Sequence, residues 1–186
     1  HLKEVFVSPN LVDDEEINLR DTCRALAGNL DKYIIDNTIV AVSWGNTLNC
    51  LAGQIQPLKA KDIKGSSAKW RRGEVRKQYR CFTDCRCLTM AGHGVGYMFP
   101  VPAIVDSKLT SDILQQETQV KNVLRLAKEA EVSIFSIGAL SKESILYEVG
   151  YLKEEDFQAL EKNKAVGDIA SRYFDINGNI ALKEFR

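Results

Sequence analysis

Residues 38–48 read Thr-Ile-Val-Ala-Val-Ser-Trp-Gly-Asn-Thr-Leu, and that order decides the fold. Thr38–Ser43 is a β-branched run with no charge to mark a wet face, the pattern of a central strand buried on both sides. Trp44-Gly45-Asn46-Thr47 breaks it, and Leu48, Leu51, Ala52 and Ile55 then recur at helical spacing up to Pro57. A strand that passes through a tight glycine turn directly into a helix belongs to an alternating β/α chain. Such alternation predicts an α/β domain, Rossmann-like, with a mostly parallel sheet covered by helices on both faces.

The same turn is the first candidate site. A buried strand entering a helix through Gly45 aims free backbone N–H groups and a partial positive charge at one point, which suits a phosphate. Ser43, Asn46 and Thr47 add short donors. The turn has a second reading, a helix N-cap in which Asn46 or Thr47 serves only its own helix. Further along, Ala165-Val166-Gly167-Asp168-Ile169 places a carboxylate after a glycine in an apolar stretch. Gly167 and Asp168 read either as an acceptor site for sugar hydroxyls or as a turn whose aspartate bonds its own backbone.

Around these two stretches the chain reads in alternating elements. Glu4–Val7 predicts a short strand before Ser8-Pro9. Asp13-Asp14-Glu15-Glu16 opens a helix whose buried stripe is Leu19, Cys23, Leu26, Leu30 and Tyr33. The segment Tyr97–Val105 is extended because of Pro100 and Pro102. Ile113, Val120, Val123, Leu124 and Ala127 predict one long helix ending near Glu131, followed by a buried strand, Val132–Ile137, closed by Gly138. Two short helices are expected within Lys142–Glu148 and Glu154–Lys162. Asn177-Gly178 marks a hairpin between Tyr173–Ile176 and Asn179–Lys183.

Composition narrows the function classes. The chain has 186 residues, 45% hydrophobic and 27% charged, enough for one domain with a real core. No apolar run approaches the ~20 residues of a membrane span, and the odd count of five cysteines without framework spacing suits a reducing cytoplasm. With two histidines, His1 and His93, triad chemistry is disfavoured, while a carboxylate or lysine enzyme stays open. Cys81, Cys85 and Cys87 lack the second ligand pair of a zinc site, and Asp175–Asn179 has its glycine two places too early for a calcium loop. Neither a metal nor a cofactor is expected. Net charge is zero, yet residues 59–87 carry ten basic and three acidic side chains, a block of +7 in a body of −7. Residues 64–94 show neither helical nor strand period.

The stretches VSWGNTL, FPVPAIVDS, VLRLAKEAEVSIFSIGAL, VGYL and AVGDIASRYFDINGN occur in the order that characterises one family. On them the chain resembles the effector-binding domain of SorC-family bacterial transcriptional regulators. The resemblance implies a fold akin to sugar-phosphate isomerases, a phosphorylated-sugar effector, and ligand contacts at Ser43, Gly45, Asn46, Thr47, Gly167 and Asp168. It further implies a homo-oligomer, dimer or tetramer, that meets DNA only through a helix-turn-helix domain. Residues 1–186 are then an effector-binding domain without that reader and short of the family's C-terminal segment. Where this chain has Gly45-Asn46-Thr47, the family more often has Gly-Thr-Thr. The rival from another class is an isomerase-like enzyme with Asp168 as base.

The resemblance also implies a buried strand after Lys64 reading Val-Val-Gln-Leu-Asn-Gly-Gly. Gly65–Arg72 stands there instead, and back-translation with a one-base shift recovers the expected residues. Residues from about 65 to about 94 therefore read as frameshifted, which accounts for the basic block, three cysteines and the lost period together. The competing reading is a basic, aromatic-bearing nucleic-acid patch.

Overall fold

The computed structural model describes residues 2–9, 12–67, 89, 91–102, 105, 107–148 and 150–182. Helix α1 (Glu15–Ala27) starts where the acidic run predicts, with Asp14 as N-cap accepting from the Ile17 N–H at 3.0 Å. Strand β1 (Ile39–Val42) follows, then helix α2 (Asn46–Ala52), strand β2 (Lys64–Ser67) and strand β3 (Val95–Met98). Helices α3 (Lys108–Leu114) and α4 (Thr118–Lys128) precede strand β4 (Val132–Ile134). The four strands form one parallel sheet in the order β3-β2-β1-β4. The α/β architecture is thus the one the sequence predicts.

One face of this sheet carries α1 and α2. Cys23, Leu30, Ile34, Val40, Val42, Leu48, Leu51, Ala60 and Ile63 make its core. Helix α4 packs on β1 and β2 from the other face, burying Val120 and Val123. Burying nine such side chains on one face supplies most of the drive to fold that face, at about 1.5–3 kcal/mol for each large one.

A second unit follows. Strands β5 (Ile137–Ala139), β6 (Ala165–Ile169) and β7 (Arg172–Asp175) form an antiparallel sheet. Helices α5 (Ile145–Glu148) and α6 (Glu154–Lys162) lie within the two short segments expected. Leu146, Leu152, Phe157, Leu160 and Tyr173 form its core, and Trp44 from the β1–α2 turn joins them.

Several expectations change. The single strand 132–137 is two strands in two sheets, because the chain turns at Phe135-Ser136 and leaves the parallel sheet. The long helix divides at Gln115–Glu117 into α3, whose N-terminus Ser107 caps, and α4, and Ile113 stays 56% exposed instead of joining the stripe. Tyr33 leaves the stripe of α1, exposed and bonded to Glu4. Glu4–Val7 forms no strand, and Val5 and Val7 are exposed. The hairpin at Asn177-Gly178 forms, with Phe174 bridged to Ile180.

Lys64–Ser67 lacks strand periodicity, yet it pairs in parallel with β1 and β3 through its backbone. Gly65 and Ser66 are buried there, so the centre of the sheet has little apolar side chain at this strand. The rest of the stretch that reads as frameshifted, 68–88 and 90, lies outside the described residues, as does the Cys81–Cys87 cluster.

Candidate functional site

The turn after β1 is built by three neighbours. Ser43 donates its N–H to the Ile134 carbonyl at 2.9 Å, continuing the β1–β4 ladder by one residue. Trp44 is 9% exposed and seated in the second core, which fixes the chain direction at the turn. Gly45 adopts φ 129° and ψ 176°, a conformation open to glycine and strained for other residues. From beneath, the Cys23 thiol donates to the Thr47 carbonyl at 3.6 Å. Burial, then the neighbouring Cys50, push that thiol up to about 12, so it serves as a neutral donor.

Gly45 is the N-cap residue of α2, and no side chain caps the helix. Asn46 and Thr47 are therefore its first helical residues, which removes the reading in which one of them is the cap. Asn49 donates to the Gly45 carbonyl at 3.0 Å, the first bond of the helix. The N–H groups ahead of it have no acceptor inside a helix and face the open end.

Across from this turn stands the β5–β6 pair. Gly138 and Asp168 are directly opposite, and a Cβ at Gly138 would lie 2.1 Å from the Asp168 Oδ1. The carboxylate thus occupies the space that the glycine leaves. Its Oδ2 accepts the Ser171 N–H at 2.9 Å. Burial holds the Asp168 carboxyl above the usual carboxylate range, and the Ser171 N–H pulls the other way. Burial and then the Asp168 charge raise the phenol of Tyr173 on the neighbouring strand.

A cavity of about 230 Å³ lies between the two halves. Ser43, Gly45, Asn46 and Thr47 line one side, and Gly138, Asp168 and Ser171 the other. The chain therefore brings together two stretches that the sequence singles out more than a hundred residues apart. The turn reading of Asp168 holds, since it accepts the Ser171 N–H of its own turn, and the same carboxylate lines the cavity. Gly167 does not line the cavity; it sits beneath, where a Cβ would meet the Gly138 carbonyl oxygen at 2.4 Å.

Ser136, Glu143 and Ser144 also line the cavity, and sequence reasoning did not single them out. They lie in loops around β5 and α5 with no motif of their own; the one available signal is the Gly138 that ends the apolar run. Glu143 accepts from the Ser141 hydroxyl at 3.0 Å, and its own N–H donates back to that oxygen. The lining thus offers two carboxylates and a set of neutral donors, with no Lys, Arg or His among the residues described there. Such a set can hold an anion at the helix end and accept hydroxyls at the carboxylates.

A ridge at Ala170-Ser171 forms the far rim. This two-residue turn joins β6 to β7 with φ of 49° and 64°, left-handed at two consecutive non-glycine residues. Hairpins of this length need that geometry, and Asn-Gly usually provides it.

The Sugar-bind family model, a sugar-binding domain, matches residues 1–185. The deoxyribonucleoside regulator of Bacillus subtilis is 29% identical over 160 residues, covering 86% of this chain and 51% of that protein. The sorbitol operon regulator of Klebsiella pneumoniae is 22% identical over 188 residues, covering 96% and 58%. The crystal structure of that full-length regulator, SorC, superposes with a TM-score of 0.84 at 21% identity, covering 96% of this chain and 59% of that one. The chain spans about half the length of these two curated relatives. With a family model covering nearly all its residues and regulators as its relatives, this chain belongs to the sugar-binding domain family of SorC-type transcriptional regulators.

Proposed function

We propose that this domain senses a phosphorylated sugar in the cavity between the Ser43–Thr47 turn and the β5–β6 pair. The observation that carries the proposal is the convergence of Ser43, Gly45, Asn46 and Thr47 with Asp168 on one cavity. The phosphate rests at the open end of α2, where unbonded N–H groups and the Ser43, Asn46 and Thr47 side chains converge. Asp168 and Glu143 accept sugar hydroxyls, and Gly167 shapes the floor beneath them. Binding shifts the balance between two arrangements of a homo-oligomer, dimer or tetramer, and thereby alters the grip of a helix-turn-helix domain on DNA. The relatives' printed functions, regulation of sorbitol and deoxyribonucleoside genes, suit such an effector and a cytoplasmic site of action.

The test is a thermal-shift panel of sugar phosphates against the matching free sugars. A ligand at a hundred times its Kd adds about 2.7 kcal/mol, or roughly 5–10 °C in Tm for a domain of this size. No stabilisation by any phosphate would overturn the proposal. Recovery of the sugar phosphate unchanged after long incubation distinguishes the sensor from an isomerase-like enzyme using Asp168 as base.

A further inference from the structure

A second cavity, about 330 Å³, adjoins the first. The two share Ser43, Trp44, Ala170 and Ser171, so they meet across the β1–α2 turn and the strained hairpin ridge. Their chemistry is opposite. The first has two carboxylates and hydroxyls around it, whereas the second is walled by Val123, Leu124, Ala127, Ile134, Phe99 and Phe135. Among the described lining residues the polar groups are four serine hydroxyls and the indole N–H of Trp44, and none of these residues is charged. A hydroxyl-rich chain placed there would leave most of its hydroxyls without partners, a penalty of a few kcal/mol each. Carbon fills such a space without that penalty.

We propose that the effector site has two compartments, and that the second takes a deoxygenated or alkyl portion of the phosphorylated ligand. The proposal rests on the phosphate reading of the first cavity and adds the chemical class of the remainder. A ligand anchored by its phosphate at the α2 end crosses the Ala170-Ser171 ridge and buries carbon against α4 and Phe135. The ridge is where the backbone holds two consecutive left-handed non-glycine residues. Strain of that kind persists where the surrounding structure fixes it, often beside a bound ligand.

The experiment is calorimetric titration with inorganic phosphate and with methyl, ethyl, n-propyl and n-butyl phosphate. Each buried methylene tightens binding roughly fourfold, so affinity climbs steadily along the alkyl series. Ala127→Leu, at an exposed position of α4 where leucine is a good helix former, fills the second cavity and flattens the series. A flat series in the parent protein, with inorganic phosphate still bound, overturns the second compartment and leaves the phosphate site standing. A slope that survives Ala127→Leu overturns it as well, since the alkyl chain then lies elsewhere. Absence of binding by inorganic phosphate and every ester overturns both readings.

Discussion

Replacing Gly138 with alanine should destabilise the domain only while Asp168 is present. The added Cβ would sit 2.1 Å from the Asp168 Oδ1 and 3.2 Å from its Cγ, more than 1 Å inside a normal carbon–oxygen contact at the oxygen. The backbone at Gly138 is held by its pairing with Asp168, so the short aspartate side chain has to rotate away. Rotation breaks the bond from the Ser171 N–H to Oδ2, a hydrogen bond to a charged acceptor worth about 1.5–3 kcal/mol. Against this, alanine restricts the unfolded chain and returns about 0.4–1 kcal/mol. The net expectation is a loss of about 1–2 kcal/mol. In an Asp168→Ala background the obstacle is gone, and Gly138→Ala becomes neutral or stabilising. Urea unfolding of the four proteins, with m-values held to one common value, measures the cycle. A coupling of about 1.5–3 kcal/mol is expected. If Gly138→Ala has the same effect in both backgrounds to within ~0.5 kcal/mol, the packing argument fails.

Gly45→Ala meets no atom within 4 Å, so its penalty is backbone strain alone, about 1–3 kcal/mol by urea unfolding, and calorimetry should show weakened phosphate binding as the α2 N-terminus shifts. The double change Ala170→Asn, Ser171→Gly places the preferred hairpin pair at the two left-handed positions and keeps the residue-171 N–H for Asp168; Tm should rise by roughly 2–4 °C for each kcal/mol gained. Asp168 gives a pH signature. Its folded carboxyl titrates above the unfolded one, so between those values the folded state holds more proton, and stability falls as pH rises through that window. Asp168→Asn retains an acceptor for Ser171 and removes this dependence. Thermal melts should show a flatter profile through that window and a higher Tm at neutral pH than the parent, together with weaker sugar-phosphate binding.

The parallel half of the fold is written in side chains that face one way at one period. The Thr38–Ser43 run and the Leu48, Leu51, Ala52 spacing become β1 and α2 in register with the core they predict. The break at Phe135-Ser136 is invisible in the same terms, because both halves of Val132–Ala139 are apolar and nothing local says which sheet each joins. The α3–α4 division is similar: Ile113 keeps helical phase with Val120, yet only tertiary contact decides which of the two is buried. For the site, Ser43–Thr47 was legible because a glycine turn between strand and helix has a recognisable chemistry. Glu143, Ser136 and Ser144 were not, since their presence in the cavity depends on where the second sheet docks. Lys64–Ser67 shows the reverse case, in which backbone pairing between two neighbours makes a strand from residues with no strand pattern.

The charge balance of the cavity dictates which way round a phosphorylated ligand must lie. A phosphate oxygen placed 4 Å from either carboxylate would meet repulsion of about 4 kcal/mol per pair of unit charges at an effective dielectric near 20. With no cationic side chain among the described lining residues to offset that, the proposed phosphate would be confined to the α2 end, and the hydroxyl-bearing part would then fall between Asp168 and Glu143. This polarity makes Trp44 more than a packing residue. Among the described residues it is the one side chain that belongs to the turn, to the second core and to the linings of both cavities. Because Trp44 shares the second core with Leu146 and Phe157, a ligand that draws the turn toward β5 would act on the core that also holds α5 and α6.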